Sequence, residues 1–378
     1  MGSVLLWIGI IAGVLFAFLV VQFVYLSVVL SWQDEQTRGL AYYGLPPERR
    51  AAFKATLRRH ARLLFPILRL LGRFSSFTFR KASFQHKGIA GPRGTCSEES
   101  FRRADDYAAK AEDVFVVTQM KCGTTWMQHI VYEVLLRGAG DIVASGRTLY
   151  GLSAWLEARR SVPIEESTTI GTERPARIIK THLPVRLIPW SADARYIYVA
   201  RHPVSCFASC VDFIATNIGA LAPPLPVVEE WFCSPDLMWW GTWTDHVKGW
   251  WARAAQQDNV LFLFFEDMKQ DLPGTVRRVA QFLGVQPLNE TELDNVVRKC
   301  GFAYMQEHKD TFEMNPPHIF QTDAELFVRG TADRHRDVPP DVRRRIVTWA
   351  AREMAGSDVP LAGVYADVAA ERPGATPG

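Results

Sequence analysis

The hydrophobic pattern of this chain changes character three times, and each change marks a different kind of element. Residues 4–30 carry no charged side chain, and about 27 residues at roughly 1.5 Å of helical rise exceed the ~30 Å hydrocarbon core of a bilayer. The stretch reads as a membrane-spanning helix; the basic start, shorter apolar region and small-residue cleavage site of a cleaved leader are not evident. Residues 51–81 then interleave Leu63, Leu64, Phe65, Ile67, Leu68, Phe74 and Phe77 with Arg58, Arg59, Arg62, Arg69, Arg73 and Arg80, interrupted at Pro66. That mixture suits an amphipathic stretch lying on a membrane surface, or helices packed beneath a catalytic domain. Gly88, Gly91, Pro92 and Gly94 make residues 85–97 a linker, so the catalytic domain begins near Ser100.

Beyond it the apolar runs become short and continuous. Val114, Phe115, Val116 and Val117 leave no wet face, as in a strand buried on both sides of a parallel sheet. The run breaks into a glycine-containing turn and resumes as a helix over 127–136. Similar runs at 177–184, 195–203 and 260–267 alternate with helical patterns, which predicts βαβ units and an α/β fold of three layers with a parallel sheet. The chain divides into a span over 1–32, a juxtamembrane segment and linker over 33–99, a catalytic domain over 100–360 and a C-terminal tail over 361–378.

Composition narrows the function. With 378 residues, 48% apolar and 22% charged, the chain has ample material for a large core, and disorder is not indicated. A net charge of +3 supplies no overall basic field of the kind that grips nucleic acid. The six cysteines show no metal-ligand pair at two-residue spacing and no dense disulfide pattern, so reduced thiols and no metal are expected. Basic residues follow the span and none precedes it, which puts the bulk of the chain on the cytoplasmic side.

In an open α/β sheet functional groups gather past the carboxyl ends of the strands, where Lys121, Lys180, His182 and Arg201 all fall. Gly123 lets the backbone turn, Thr124 and Thr125 open a helix whose first N–H groups lack partners, and Lys121 adds a full positive charge. The expected guest is a phosphate or a sulfate. A nucleoside triphosphatase loop is disfavoured, because its lysine follows a glycine-rich run whereas Lys121 precedes a single glycine.

The order Lys121-Cys-Gly-Thr-Thr-Trp126 resembles the 5′-phosphosulfate loop of sulfotransferases that use 3′-phosphoadenosine 5′-phosphosulfate (PAPS). Lys180-Thr-His-Leu-Pro184 looks like the catalytic-histidine strand of the cytosolic branch, and Phe327-Val-Arg-Gly330 like its last phosphate-binding turn. The resemblance covers about 113–354. It implies His182 as general base, Lys121 at the leaving bridge oxygen and Lys180 steadying the moving sulfuryl group. It further implies that Cys122, Gly123, Thr124 and Thr125 cradle the 5′-phosphate, that Arg201 and Ser209 hold the 3′-phosphate with Arg329 and Gly330, and that Trp126, Phe265 and Phe302 surround adenine.

Four departures stand out: Cys122 for serine, Phe265 for tyrosine, Cys300-Gly301 for Thr-Ser, and Val328 for a basic residue. The branch's short dimer motif is also missing, which leaves the oligomeric state open. An insert over 220–240, rich in tryptophan and proline, is expected to expose Trp231, Phe232, Trp239 and Trp240 to a lipid-like alcohol. Two other functions stay open: a membrane-attached nucleotide-binding protein without turnover, and a P-loop nucleotide-phosphate enzyme.

Overall fold

A computed structural model describes residues 2–37, 42–171, 173–313, 316–321 and 337–371. The chain opens with helices α1 (Gly2–Gln36), α2 (Pro47–Leu63), α3 (Phe65–Gly72) and α4 (Ser75–Lys81), followed by a hairpin of β1 (Ser83–His86) and β2 (Ile89–Pro92). Helix α5 (Glu98–Asp106), strand β3 (Asp113–Val117), helix α6 (Thr124–Leu135) and strands β4 (Ala154–Trp155), β5 (Arg177–Thr181) and β6 (Arg195–Ala200) come next. Helices α7 (Pro203–Ile218), α8 (Leu225–Cys233) and α9 (Trp243–Ala254) lead to β7 (Val260–Phe264). The described residues after β7 include the helices α10 (Phe265–Gln270), α11 (Leu272–Leu283), α12 (Glu290–Lys299), α13 (Phe302–Glu307) and α14 (Pro340–Glu353).

Five strands form one parallel sheet in the order β4-β5-β3-β6-β7. Because successive strand residues point to opposite faces, β3 feeds two cores. Phe115 and Val117 join the layer that includes α7, α8, α9 and α14, whereas Val114 and Val116 join the layer of α6, α11 and α12. The three-layer α/β architecture read from the sequence is the one observed. Strands β5, β6 and β7 each stop short of the run that announced them, and the residues at the end of each run lie just past the sheet.

Residues 85–97 differ from the expected linker. Phe84 packs edge-on against Phe101 at 5.0 Å, and the amide of Trp240 donates to the carbonyl of Ala90 at 2.8 Å, so the hairpin belongs to the catalytic layer. Its glycines serve the turn and the packing: a Cβ on Gly91 would lie 2.3 Å from the Phe84 ring. The 220–240 insert also departs from expectation. Val227, Val228, Trp231, Phe232, Met238 and Trp240 are buried in the core, where α8 packs on α7 and α14. At the other end, Leu361, Tyr365 and Val368 are buried, so the packed body runs beyond residue 360.

Helix α1 has two parts. From Gly2 to Val21 its side chains are almost all exposed, and about 20 residues at ~1.5 Å each reach ~30 Å, the thickness of a bilayer core. Farther along, Gln22, Leu26, Val29 and Gln33 form a buried stripe. There the Tyr25 hydroxyl meets His60 Nδ1 at 2.6 Å, Trp32 packs on Phe53 at 5.2 Å, and Asp34 pairs with Arg160 of the catalytic layer. Lys54 reaches Asp310 at 2.8 Å and Glu313 at 3.1 Å. Helices α2 and α3 are thus packed on the domain through Phe53, Leu57, Leu64, Ile67 and Leu68, while Leu63, Phe65, Phe74 and Phe77 remain exposed.

His129 of α6 lies among Tyr132, Tyr304 and Phe312, and burial pulls its imidazole down to about 3 from an ordinary 6.5. A ring held neutral in the fold but free to protonate when unfolded favours the unfolded chain as pH drops below 6.5. Compared with the wild type, His129→Phe should therefore gain stability on acidification, by about 1.4 kcal/mol per pH unit between pH 6 and 4. Denaturant unfolding of both proteins across that range measures the difference; a constant difference would show that His129 does not titrate on unfolding.

Candidate active site

The strand order reverses about β3, whose neighbours β5 and β6 follow it in sequence on opposite sides, and the crevice at such a reversal is where open α/β sheets bind ligands. Between β3 and α6 the chain turns through two left-handed residues, Lys121 at φ 66° and Gly123 at φ 101°. A side chain at Gly123 is doubly excluded, since its Cβ would also lie 2.8 Å from the Phe265 ring. No side chain caps the start of α6, so its first N–H groups are available to an anion. Thr118 and Thr124 bind each other through their hydroxyls at 2.6 Å, tying the strand end to the helix start.

Parallel pairing sets Val117 beside Thr181, which brings Thr118 to His182. His182 Nδ1 lies 2.9 Å from the Thr118 carbonyl oxygen. That oxygen can only accept, so Nδ1 carries the hydrogen and the lone pair of the neutral ring is left on Nε2. The ring is walled by Trp155 at 5.4 Å and Trp240 at 4.8 Å, and the His182 carbonyl accepts from His246 Nε2 at 2.9 Å. Burial first, and the charge of Lys180 second, hold the imidazole well below its ordinary value.

Lys180 is fully buried with its ammonium 3.2 Å from the centre of the Trp155 ring and 5.0 Å from that of Tyr150. The Tyr150 hydroxyl in turn meets Thr125 Oγ1 at 2.9 Å. On the other side of β3, Arg201 donates to the Lys121 carbonyl at 3.1 Å and stacks its guanidinium 4.6 Å from the Phe265 ring. Its buried Nε has no hydrogen-bond partner among the described residues. Ser209 lies two turns into α7, nearly buried. Trp126 donates from Nε1 to the Cys300 carbonyl at 2.8 Å and meets Phe265 edge-on at 5.4 Å; Phe302, two residues past Cys300, is partly exposed.

The structure thus gathers Lys121, Gly123, Thr124, Thr125, Lys180, His182 and Arg201 at the carboxyl edge of three adjacent strands. Cys122 is the exception within the loop. Its thiol turns inward to Cys206 Sγ at 3.6 Å, so only its backbone faces a guest. Arg329 and Gly330 lie outside the described residues. The sequence reading missed Tyr150, Trp155 and Glu157, although Trp155-Leu-Glu157 is visibly apolar and acidic; a strand of two residues is too short to register as a period. Trp240, expected to be exposed in the insert, is buried against the His182 ring instead. Gathered cations, open helix N–H groups and an unpartnered buried guanidinium nitrogen fit a polyanionic nucleotide. Among the described residues no group of three or more His, Cys, Asp or Glu could hold a metal.

A protein-family model described as a sulfotransferase domain matches residues 111–358. Sulfotransferase 1C2 of Oryctolagus cuniculus is 32% identical over 219 residues, which cover 56% of this chain and 71% of the relative. Among solved structures, mouse sulfotransferase SULT7A1 complexed with PAP aligns with a TM-score of 0.55 at 24% identity over 74% of this chain and 96% of its own. Retinol dehydratase in complex with androsterone and the inactive cofactor PAP gives a TM-score of 0.59 at 21% identity over 75% and 95%. At these identities the two structures establish a common fold.

The left-handed Gly123 yields a direct test. In Gly123→Ala the backbone penalty of ~1–2 kcal/mol adds to the contact with Phe265, so binding of PAP should weaken about tenfold or more with helix content unchanged. Titration calorimetry beside circular dichroism measures both quantities. Wild-type affinity in the variant would mean the loop conformation is not what holds the nucleotide.

Proposed function

The chain belongs to the sulfotransferase family and is a PAPS-dependent enzyme, and from that premise we propose that it moves a sulfuryl group from PAPS to the hydroxyl of a hydrophobic alcohol or phenol met at a membrane. The observation that carries the chemistry is the bond from His182 Nδ1 to the Thr118 carbonyl, which leaves Nε2 as the only basic nitrogen. Nε2 takes the acceptor's proton as the acceptor oxygen bonds to sulfur. The bond from sulfur to the bridging 5′-phosphate oxygen breaks, and PAP leaves with the electron pair. Lys121 stabilises the charge arriving on that oxygen, and Lys180 steadies the sulfuryl oxygens between the two. Arg201 and Ser209 bind the 3′-phosphate, with Arg329 and Gly330 as their proposed partners. The Cys122, Gly123, Thr124 and Thr125 backbone and the two threonine hydroxyls cradle the 5′-phosphate, and Trp126, Phe265 and Phe302 flank adenine.

A hydrophobic acceptor is supported by the Trp155 and Trp240 walls of His182, and no longer by an exposed insert. The membrane setting is supported by the exposed first part of α1 and by Leu63, Phe65, Phe74 and Phe77, each more than half exposed among arginines. Those aromatic and aliphatic tips suit the acyl boundary of a leaflet, and the arginines its anionic headgroups. We propose the cytoplasmic side for the catalytic domain, from the basic residues that follow the span.

His182→Ala should abolish transfer and leave PAP binding nearly intact, as followed by calorimetry and release of labelled product. In the wild type the acid limb of kcat/KM should lie below pH 6.5, because the buried ring stays neutral there and only the neutral ring is a base. Substantial turnover in the variant would sink the assignment of the base. For the acceptor, ³⁵S-labelled PAPS incubated with the full chain and separate lipid and water-soluble extracts should label the lipid fraction. Label confined to the water-soluble fraction would make the hydrophobic acceptor wrong.

A further inference from the structure

The hairpin of α1 and α2 has no part in the reaction described above, yet it grips the turn that carries Tyr150 and a second turn packed against it. Arg50 of α2 is buried, and its Nη1 donates to the Leu45 carbonyl at 2.7 Å and to the Gly146 carbonyl at 3.1 Å. One guanidinium thus ties the loop after α1 to the loop before Tyr150. Tyr43, also buried, backs onto Gly151, where an added Cβ would lie 3.6 Å from the Tyr43 Cβ and carbonyl oxygen. Within the turn the Thr148 hydroxyl accepts from the Gly151 amide at 3.0 Å. The second turn, Lys309–Phe312, packs on Leu149–Gly151. Lys54 holds Asp310 in it at 2.8 Å and Glu313 just after it at 3.1 Å, and the Tyr42 hydroxyl donates to Glu313 as well.

Close packing alone does not fix the Tyr150 turn. A cavity of about 450 Å³ lies in the seam between hairpin and turn, with Tyr43, Pro46, Pro47, Gly146 and Gly151 in its wall. On that side the place of the turn depends on the Arg50 bond and the Tyr43 contact. What the turn delivers is a hydroxyl: Tyr150 is buried with its oxygen 2.9 Å from Thr125 Oγ1, in the proposed cradle of the 5′-phosphate. A threonine hydroxyl has a single hydrogen, so when Thr125 gives it to an anionic oxygen, its lone pair accepts from the phenol of Tyr150. A hydroxyl that already accepts a hydrogen bond is polarised into a stronger donor.

Given the nucleotide site proposed above, on which this inference rests, we propose that the N-terminal hairpin is part of that site: Arg50 and Tyr150 are positioning residues that aim the Thr125 hydroxyl at the 5′-phosphate. Arg50 sets the turn, the turn sets Tyr150, and Tyr150 orients Thr125. Hairpin docking and nucleotide binding are then linked, and each strengthens the other by the same factor.

Binding of PAP to the full chain in detergent, measured by calorimetry, is the first test. Tyr150→Phe keeps the ring and removes only the hydroxyl, and it should weaken PAP about three- to tenfold. Arg50→Met should weaken it by a similar factor and Arg50→Lys by less. Because both residues act through Thr125, the double variant Arg50→Met with Tyr150→Phe should lose no more than the larger single change. Hydrogen exchange reads the link in reverse: PAP should slow amide exchange over residues 42–57 in the wild type, and Tyr150→Phe saturated with PAP should lose most of that slowing. The exchange measurement stands even where Arg50→Met fails to fold. Exchange over 42–57 that is the same with and without PAP in the wild type, or single losses that multiply in the double variant, would overturn the proposal. A wild-type chain that does not bind PAP would instead overturn the nucleotide site itself.

Discussion

The site depends on the register between β3 and β5. Pairing Val117 with Thr181 makes the next residues, Thr118 and His182, neighbours by necessity, and the carbonyl of one then fixes the tautomer of the other. A shift of one residue would turn His182 to the opposite face of the sheet and bring a different residue to the Thr118 carbonyl. Burial on both faces makes such a slip expensive, because β3 sends alternate residues into two separate cores. The same strand end starts the loop over 121–125, so His182, the proposed base, and the proposed anion cradle share one origin and cannot drift apart.

Electrostatics set the second constraint. Lys121, Lys180 and Arg201 converge at one edge of the sheet, and Lys180 is wholly withdrawn from water. Like charges gathered in the interior raise the free energy of the empty site, and a polyanionic guest relieves it. Aromatic faces soften the burden in its absence: Trp155 and Tyr150 under Lys180, Phe213 under Lys121, and Phe265 under Arg201. The chain thus balances readiness for an anion against the cost of desolvating its own cations.

The parts of this arrangement that were legible in the sequence are those with a local signal. The apolar run ending in Lys121, Gly123 and two threonines gives strand, turn and helix because each residue type answers a backbone requirement on the spot. The short polar tails after β5 and β6 mark the strand ends for the same reason. What was hidden depends on tertiary pairing. Two residues of β4 form a strand only because Trp155 pairs with Lys180 across the sheet. The glycines of 85–97 looked like a linker, yet Gly91 is small so that the Phe84 ring can lie over it. Trp240 looked like an exposed lipid contact, and it became a wall of His182 because the hairpin captures its backbone.

The packing of α1 on α2, with Asp34 held by Arg160, fixes the far end of the apolar helix on the catalytic body. On the proposed span such a body would not tumble, and its active-site mouth would keep a constant height and heading relative to the bilayer plane. Encounters with the proposed lipid-dissolved acceptor would then be a search in two dimensions. Turnover would follow the number of acceptor molecules per unit area of lipid, and would dilute when more lipid is added at constant total acceptor.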